Sequence, residues 1–102
     1  MSDRRVVRTA VAFFDDLDRQ LPAERTSRLP SRSDFQAYEL LEIVEKFATT
    51  FDHLPELIPG RPQYRVLVVT GRIIPMISVV GQLSPDGAVE LIGIDLDSEA
   101  PW

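Results

Sequence analysis

Five side chains in this sequence have the chemistry needed to act on a phosphodiester: His53, Arg61, Tyr64, Arg65 and Arg72. An imidazole or a phenol can transfer a proton, and guanidinium groups can stabilise the charge that develops on a phosphate. The four residues from 61 to 72 form the only convergent set that we expect, with His53 as a more distant proton carrier. These are the candidate catalytic residues, and from their chemistry alone they would form a phosphate-binding group.

Each of these residues also has an interpretation that requires no activity. His53 falls at the end of a predicted helix, where a protonated imidazole complements the helix dipole. Tyr64 and the three arginines can be ordinary hairpin-surface and ion-pair residues. The sequence therefore leaves the catalytic assignment open.

Three carboxylates near the end of the chain, Asp95, Asp97 and Glu99, alternate in the sequence. A strand would place them on one face, where they could bind Mg²⁺ or Ca²⁺. They fit equally well as the solvated end of a strand that resists pairing with other chains. We expect no metal site and no cofactor. The chain has no cysteine, which excludes disulfides, thiolate metal sites and cysteine nucleophiles.

Length and charge narrow the class of protein. The 102 residues predict a single domain spanning positions 1–102, and the net charge of −5 argues against nucleic acid as the main partner. Arginines cluster at 4–8 and 25–32, and we interpret both clusters as solvated surface. The first residues of the sequence lack the long apolar run that is typical of a signal peptide, and the longest apolar stretch, Ile73–Val80, is too short to span a bilayer. We expect a cytoplasmic protein without a membrane partner.

Two helices are predicted in the first half of the chain. The first runs from about Ala10 to Leu21 with Thr9 as its cap, and residues 4–9 are either a short strand or a frayed start. The second begins at a capping box formed by Ser33 and Gln36. Its apolar stripe predicts the buried face of the helix. The stripe consists of Leu40, Leu41, Val44, Phe47, Ala48, Phe51 and Leu54.

An antiparallel meander is predicted from residue 64 to residue 97. Tyr64–Val69 is the first strand, and a tight type II′ turn at residues 70–73 leads to a second strand, Ile73–Leu83. The turn at residues 84–87 has proline and glycine where a β-turn prefers them, and the third strand is Val89–Leu96. Pro75 should face about Asp97, where pairing ends. The second strand is apolar on both faces, which indicates a cover on each.

The order β-α-α-β-β-β resembles the RelE/ParE family of small toxins from bacterial toxin–antitoxin modules. The passage "FDHLPELIPGRPQYRVLVV" is similar to the family's route from its second helix to an arginine at the start of a strand, here Arg65. The segments "VVRTAVAFFDDLDRQL" and "GAVELIGIDL" resemble its opening strand and helix and its last strand. The resemblance covers roughly residues 5–97. It implies an α+β fold in which two helices pack on a small antiparallel sheet.

The resemblance also implies a function. Family members act in the cytoplasm, where some cleave messenger RNA on the ribosome and others poison DNA gyrase, and a partner antitoxin neutralises them. This sequence departs from the ribonuclease branch, because no Lys, Arg or His follows Arg72 and the tail is acidic. We expect a toxin-family protein that acts through protein–protein binding. The alternatives are a stand-alone homodimeric interaction module and a true ribonuclease.

Overall fold

The structure is a computed structural model that describes residues 4–97. These residues form one short strand, a layer of helices and three longer strands. The strands are β1 (Val7–Thr9), β2 (Tyr64–Val69), β3 (Met76–Leu83) and β4 (Val89–Asp97). The helices are α1 (Val11–Gln20), α2 (Arg32–Phe35) and α3 (Leu41–Thr50). A π-helical turn, Gln36–Leu40, joins α2 to α3, and a 3₁₀ turn, Phe51–His53, follows. The predicted α+β class is confirmed, and residues 4–9 do contain a strand.

The four strands form one sheet in the order β1-β4-β3-β2. Pairing of β2 with β3 and of β3 with β4 is antiparallel, as predicted for the meander. However, β1 lies parallel to β4, so the sheet is mixed and the prediction of a wholly antiparallel sheet is wrong. Tight turns force neighbouring strands to be antiparallel, whereas the long helical connection between β1 and the meander imposes no such direction.

The second helical segment begins two residues earlier than predicted. The Ser31 Oγ accepts a hydrogen bond from the Asp34 N–H at 3.0 Å, and the Asp34 carboxylate accepts one from the Ser31 N–H at 2.9 Å. The predicted capping box of Ser33 and Gln36 is therefore wrong, although a capping box with the same spacing is present two residues earlier. Thr9 lies in β1, and α1 is capped at Ala10 with no side-chain hydrogen bond.

The buried face of this segment follows four-residue steps: Phe35, Glu39, Ile43, Phe47 and Phe51. In a regular α-helix each such step would rotate the side chain by about 40° away from the face. The π-helical turn contains more residues per turn and absorbs part of that drift. The predicted stripe includes Phe47 and Phe51 but missed Phe35, Glu39 and Ile43.

One member of the predicted stripe, Leu41, is 70% exposed, so its predicted burial is wrong. Phe47, Ala48 and Phe51 are buried as predicted, and Val44 is partly buried.

A single core holds the two layers together. Phe13 and Leu17 of α1 and Phe47 of α3 join one apolar cluster with residues of β2, β3 and β4. The strand members are Leu67, Ile77, Val79, Val89, Leu91 and Ile94. The helices therefore all pack on one face of the sheet, here called the inner face. The apolar residues on both faces of the predicted second strand, now β3, predicted that both faces of the sheet are covered. No described element covers the other face, since the N-terminal segment forms β1 at the sheet edge.

The two loops of the meander differ in how well they were predicted. The turn at residues 84–87 is confirmed: the Gly87 N–H donates to the Ser84 oxygen at 2.9 Å, and Gly87 has a φ of 89°. The prediction of a type II′ turn at residues 70–73 is wrong, because the connection spans residues 70–75 and β3 begins at Met76. Pro75 falls just outside the ladder, next to the Met76–Asp97 pair, as predicted.

Candidate functional site

The candidate catalytic residues are divided between the two ends of β2. Arg61, Tyr64 and Arg65 lie at its start, not far in sequence from His53, which is exposed at the end of the 3₁₀ turn. Arg72 follows the other end of the strand, beyond Val69. Four strand residues, about 13 Å, already separate Arg65 from Val69. The backbone therefore does not bring the expected set of four to one point.

Arg65, the arginine that carries the family resemblance, is used inside the fold. Its Nη1 donates to the Leu54 oxygen at 2.8 Å and its Nε to the Pro62 oxygen at 2.7 Å. Its guanidinium also lies 5.8 Å from the centre of the Phe51 ring. These contacts fasten the segment between α3 and β2, and they occupy two of the donor groups that a phosphate would need.

Arg72 is also engaged. Its guanidinium forms an ion pair with Glu42 at 2.6 Å, and 67% of its side chain is exposed. Tyr64 has a long contact, 3.5 Å, from Gln82 Nε2 to its hydroxyl. The Glu42 carboxylate is thus used to hold Arg72, and the hydroxyl of Tyr64 has only this long contact with an amide.

Most of the positive charge in the described chain is neutralised locally. Seven of the eleven Lys and Arg side chains form ion pairs there. The pairs are Arg4–Glu45, Arg5–Asp52, Arg8–Asp86, Arg19–Asp16, Arg25–Asp34, Arg32–Asp18 and Arg72–Glu42. Of the six arginines in the two clusters noted in the sequence, only Arg28 has no ion pair in the described chain. The pairing leaves little of the basic patch that a nucleic-acid backbone would require.

Three of these pairs also shift pKa values. The Arg25 guanidinium, together with the backbone N–H of Ser31, holds the pKa of the Asp34 carboxyl far below its usual range. Hydrogen bonds from Arg4 and Arg8 lower the pKa values of Glu45 and Asp86 in the same way. All three carboxylates are thereby kept charged, and none acquires the raised pKa that a general acid needs.

Residues 4–97 contain no group of three or more His, Asp or Glu side chains placed to hold a metal ion. Asp95 is exposed on β4, Asp97 ends that strand, and Glu99 lies outside the described residues.

The residue that sequence reasoning missed is Glu39, a carboxylate that is only 3% exposed. It accepts hydrogen bonds from three successive backbone N–H groups, those of Arg72, Ile73 and Ile74, at 2.8, 3.0 and 3.1 Å. The π-helical turn directs it towards the loop of residues 70–75. Glu39 lies four residues from both Phe35 and Ile43, and this spacing was the signal in the sequence that could have indicated its burial.

Beside Glu39 a cleft of about 290 Å³ opens between α3 and the edge strand β2. We call it the edge cleft. Its floor is apolar, and its rim carries Glu42 and Lys46. The floor side chains are Ile43, Leu67, Val69 and Ile77. Because Glu42 is paired with Arg72, Lys46 is the rim charge with no ion pair in the described chain.

The other face of the sheet, here called the outer face, has no described helix on it. Val66 pairs with Val80 across β2 and β3, and Val68 pairs with Ser78. Val68 is 56% exposed, and Val66 and Val80 are half-buried. Glu90 and Asp95 of β4 border this apolar centre because they pair with Gln82 and Ser78.

Comparison with protein-family models, curated proteins and solved structures finds no match to this chain. The helices of the described residues are all too short or too polar to cross a membrane.

Proposed function

We propose that this chain is a RelE/ParE-like toxin-family protein of a toxin–antitoxin-type system, that it acts in the cytoplasm by binding protein partners, and that it carries no ribonuclease chemistry. The observation that carries the proposal is the outer face, where Val66, Val68 and Val80 are adjacent with no described helix over them. Exposed apolar surface of this kind marks protein interaction sites.

The charge on this face favours a partner over a second copy of the chain. Glu90 and Asp95 border the valines, and the whole chain has a net charge of −5. Two copies placed face to face would bring like charges together, whereas a basic, partly apolar segment of an antitoxin would be complementary. The occupant that we propose is such an antitoxin segment.

The test is inducible expression of the chain with and without the product of the adjacent reading frame. We expect growth arrest that the neighbour relieves, and a stable complex of the two purified proteins. Val68→Asp places a charge in the centre of the outer face and should weaken this complex at least tenfold. Val11→Asp is the matched control, since Val11 is 77% exposed on α1. Equal binding by both variants would exclude the outer face as the contact.

The homodimeric module is the second candidate, because the same uncovered valines could meet a second copy. Sedimentation of the chain alone separates the two. We expect a monomer for the wild type, and a dimer that Val68→Asp dissociates would favour the homodimeric module.

Absence of ribonuclease chemistry is tested with the purified chain and ribosome-bound messenger. We expect no cleavage by the wild type, because Arg65 and Arg72 lie at opposite ends of β2 and are engaged within the fold. Cleavage that Arg72→Ala abolishes without changing the unfolding midpoint would overturn this part of the proposal. Arg28→Ala, which removes an exposed arginine outside the candidate set, is the control.

A further inference from the structure

The fold covers the sheet edges unevenly. β1 pairs with the first part of β4, and α1 side chains satisfy the rest of that edge. The Leu96 N–H donates to Gln20 Oε1 at 2.7 Å, and the Ile94 N–H donates to Asp16 Oδ2 at 3.2 Å. The outer edge of β1 itself is only three residues long, and short edges resist pairing with other chains.

At the opposite edge, β2 is covered over half of its length by the chain's own loop. The Leu57 N–H donates to the Tyr64 oxygen at 2.9 Å, and the Val66 N–H donates to the Pro55 oxygen at 3.0 Å. Tyr64 and Val66 thus direct their backbone groups away from β3. Because a strand repeats every two residues, Val68 presents its N–H and C=O in the same direction. No described segment continues the pairing to Val68.

The edge cleft begins where this pairing stops. Leu67 and Val69, on either side of Val68, contribute its floor, and Lys46 stands on its rim. A strand added beside Val68 would place every second side chain over this floor. A carboxylate on the same face of that strand would meet the unpaired Lys46 ammonium.

We propose that the open half of the β2 edge binds an extended peptide segment of a partner protein, which adds a fifth strand beside Val68. The peptide places an apolar side chain in the edge cleft and a carboxylate against Lys46. The chain's own pairing at Pro55–Leu57 shows that this edge accepts an extended segment, and the new strand extends that pairing along β2. Strand addition of this kind takes affinity from backbone hydrogen bonds and specificity from the pocket.

The inference shares one assumption with the proposed function, namely that the partner is a protein. The two proposals concern different surfaces, since the peptide would bind at the sheet edge and the antitoxin segment on the outer face. The probe is a phage-displayed library of random dodecapeptides, selected on the full chain. We expect enriched peptides in which apolar and acidic residues occur two positions apart. A library that enriches no peptide, or one without this pattern, overturns the inference.

Two variants test the mode of binding with the best enriched peptide. Val68→Pro removes the outward N–H while leaving the ladder to β3 intact, and it should weaken the peptide about tenfold. Val68→Thr keeps the N–H and should bind as the wild type does. Lys46→Glu should weaken acidic peptides by a similar factor, whereas Arg28→Glu, a charge reversal away from the cleft, should not.

The outcomes separate the two proposals. If Val68→Pro and Lys46→Glu bind the peptide as well as the wild type does, the strand-addition inference is wrong. The antitoxin complex and its loss in Val68→Asp would be unaffected by that result. Conversely, peptide binding that depends on Val68 N–H and Lys46 stands even if the adjacent reading frame supplies no partner.

Discussion

Gly71 lies directly against the Glu39 carboxylate, 32 positions earlier in the chain. A Cβ at position 71 would overlap Glu39 Oε2 and would lie 2.7 Å from Ile77 Cδ1. The absence of a side chain lets the loop of residues 70–75 pass close enough for Arg72, Ile73 and Ile74 to donate their N–H groups to Glu39. This contact connects the π-helical turn to the hairpin and closes one end of the edge cleft.

Gly71→Ala should therefore destabilise the fold. The added methyl group must displace the carboxylate or the loop backbone, and overpacking of this kind costs about 1–3 kcal/mol. Urea unfolding monitored by circular dichroism measures the change. Thr70→Ala is the control, because Thr70 is exposed and adjacent. An equally stable Gly71→Ala protein would show that the loop and Glu39 are not in contact.

Glu39→Gln should lower the free energy of unfolding by about 1–3 kcal/mol, because an amide has one acceptor oxygen for the three N–H donors and brings two donors of its own. Glu42→Gln alters an exposed carboxylate on the same helical segment and should cost less than about 1 kcal/mol. Amide hydrogen exchange offers a second measurement. Faster exchange at Ile73 and Ile74 in Glu39→Gln alone is expected, and no change at those amides would contradict the assignment.

Phe47 and Leu41 provide a test of the helix register. Phe47 is fully buried, and Phe47→Ala should cost about 3–5 kcal/mol. Leu41 is 70% exposed, and Leu41→Ala should change stability by less than about 0.5 kcal/mol. Chemical denaturation of both variants measures the two changes in unfolding free energy. A similar loss of stability in both variants would mean that Leu41 is buried together with Phe47, as the sequence pattern predicted, and that the π-helical turn does not shift the buried face.

Asp34 should make stability depend on acid pH. Its pKa is lowered in the folded chain, chiefly by Arg25, so its charged form stabilises the fold above the ordinary pKa of aspartate, about 3.9. That stabilisation is lost as pH falls through the lowered pKa. The difference in unfolding free energy between wild type and Asp34→Asn should therefore shrink as pH falls below about 4.

The measurement for Asp34 is denaturant unfolding at low salt over a series of acid pH values, since salt screens exposed ion pairs. Asp15→Asn is the matched control, because Asp15 is exposed and has no ion pair among the described residues. A difference for Asp34→Asn that stays constant down to about pH 2 would show that Arg25 and the capping box do not hold the carboxylate.

Local patterns in the sequence determined the elements of this fold. The β-branched residues predicted β2, proline and glycine predicted the turn at residues 84–87, and apolar periodicity predicted both helical segments. Each of these signals comes from a few neighbouring residues and from the backbone conformations that those residues themselves prefer. The α+β class followed from the order of these elements.

Contacts between residues distant in the sequence decided the rest. The parallel pairing of β1, the wider loop at residues 70–75 and the exposure of Leu41 depend on how helices and strands meet. The candidate site was decided in the same way. Whether a charged residue is free or paired depends on its neighbours in space, and Glu39 shows this most clearly. Its importance arises from three N–H groups more than thirty positions away, which no local pattern encodes.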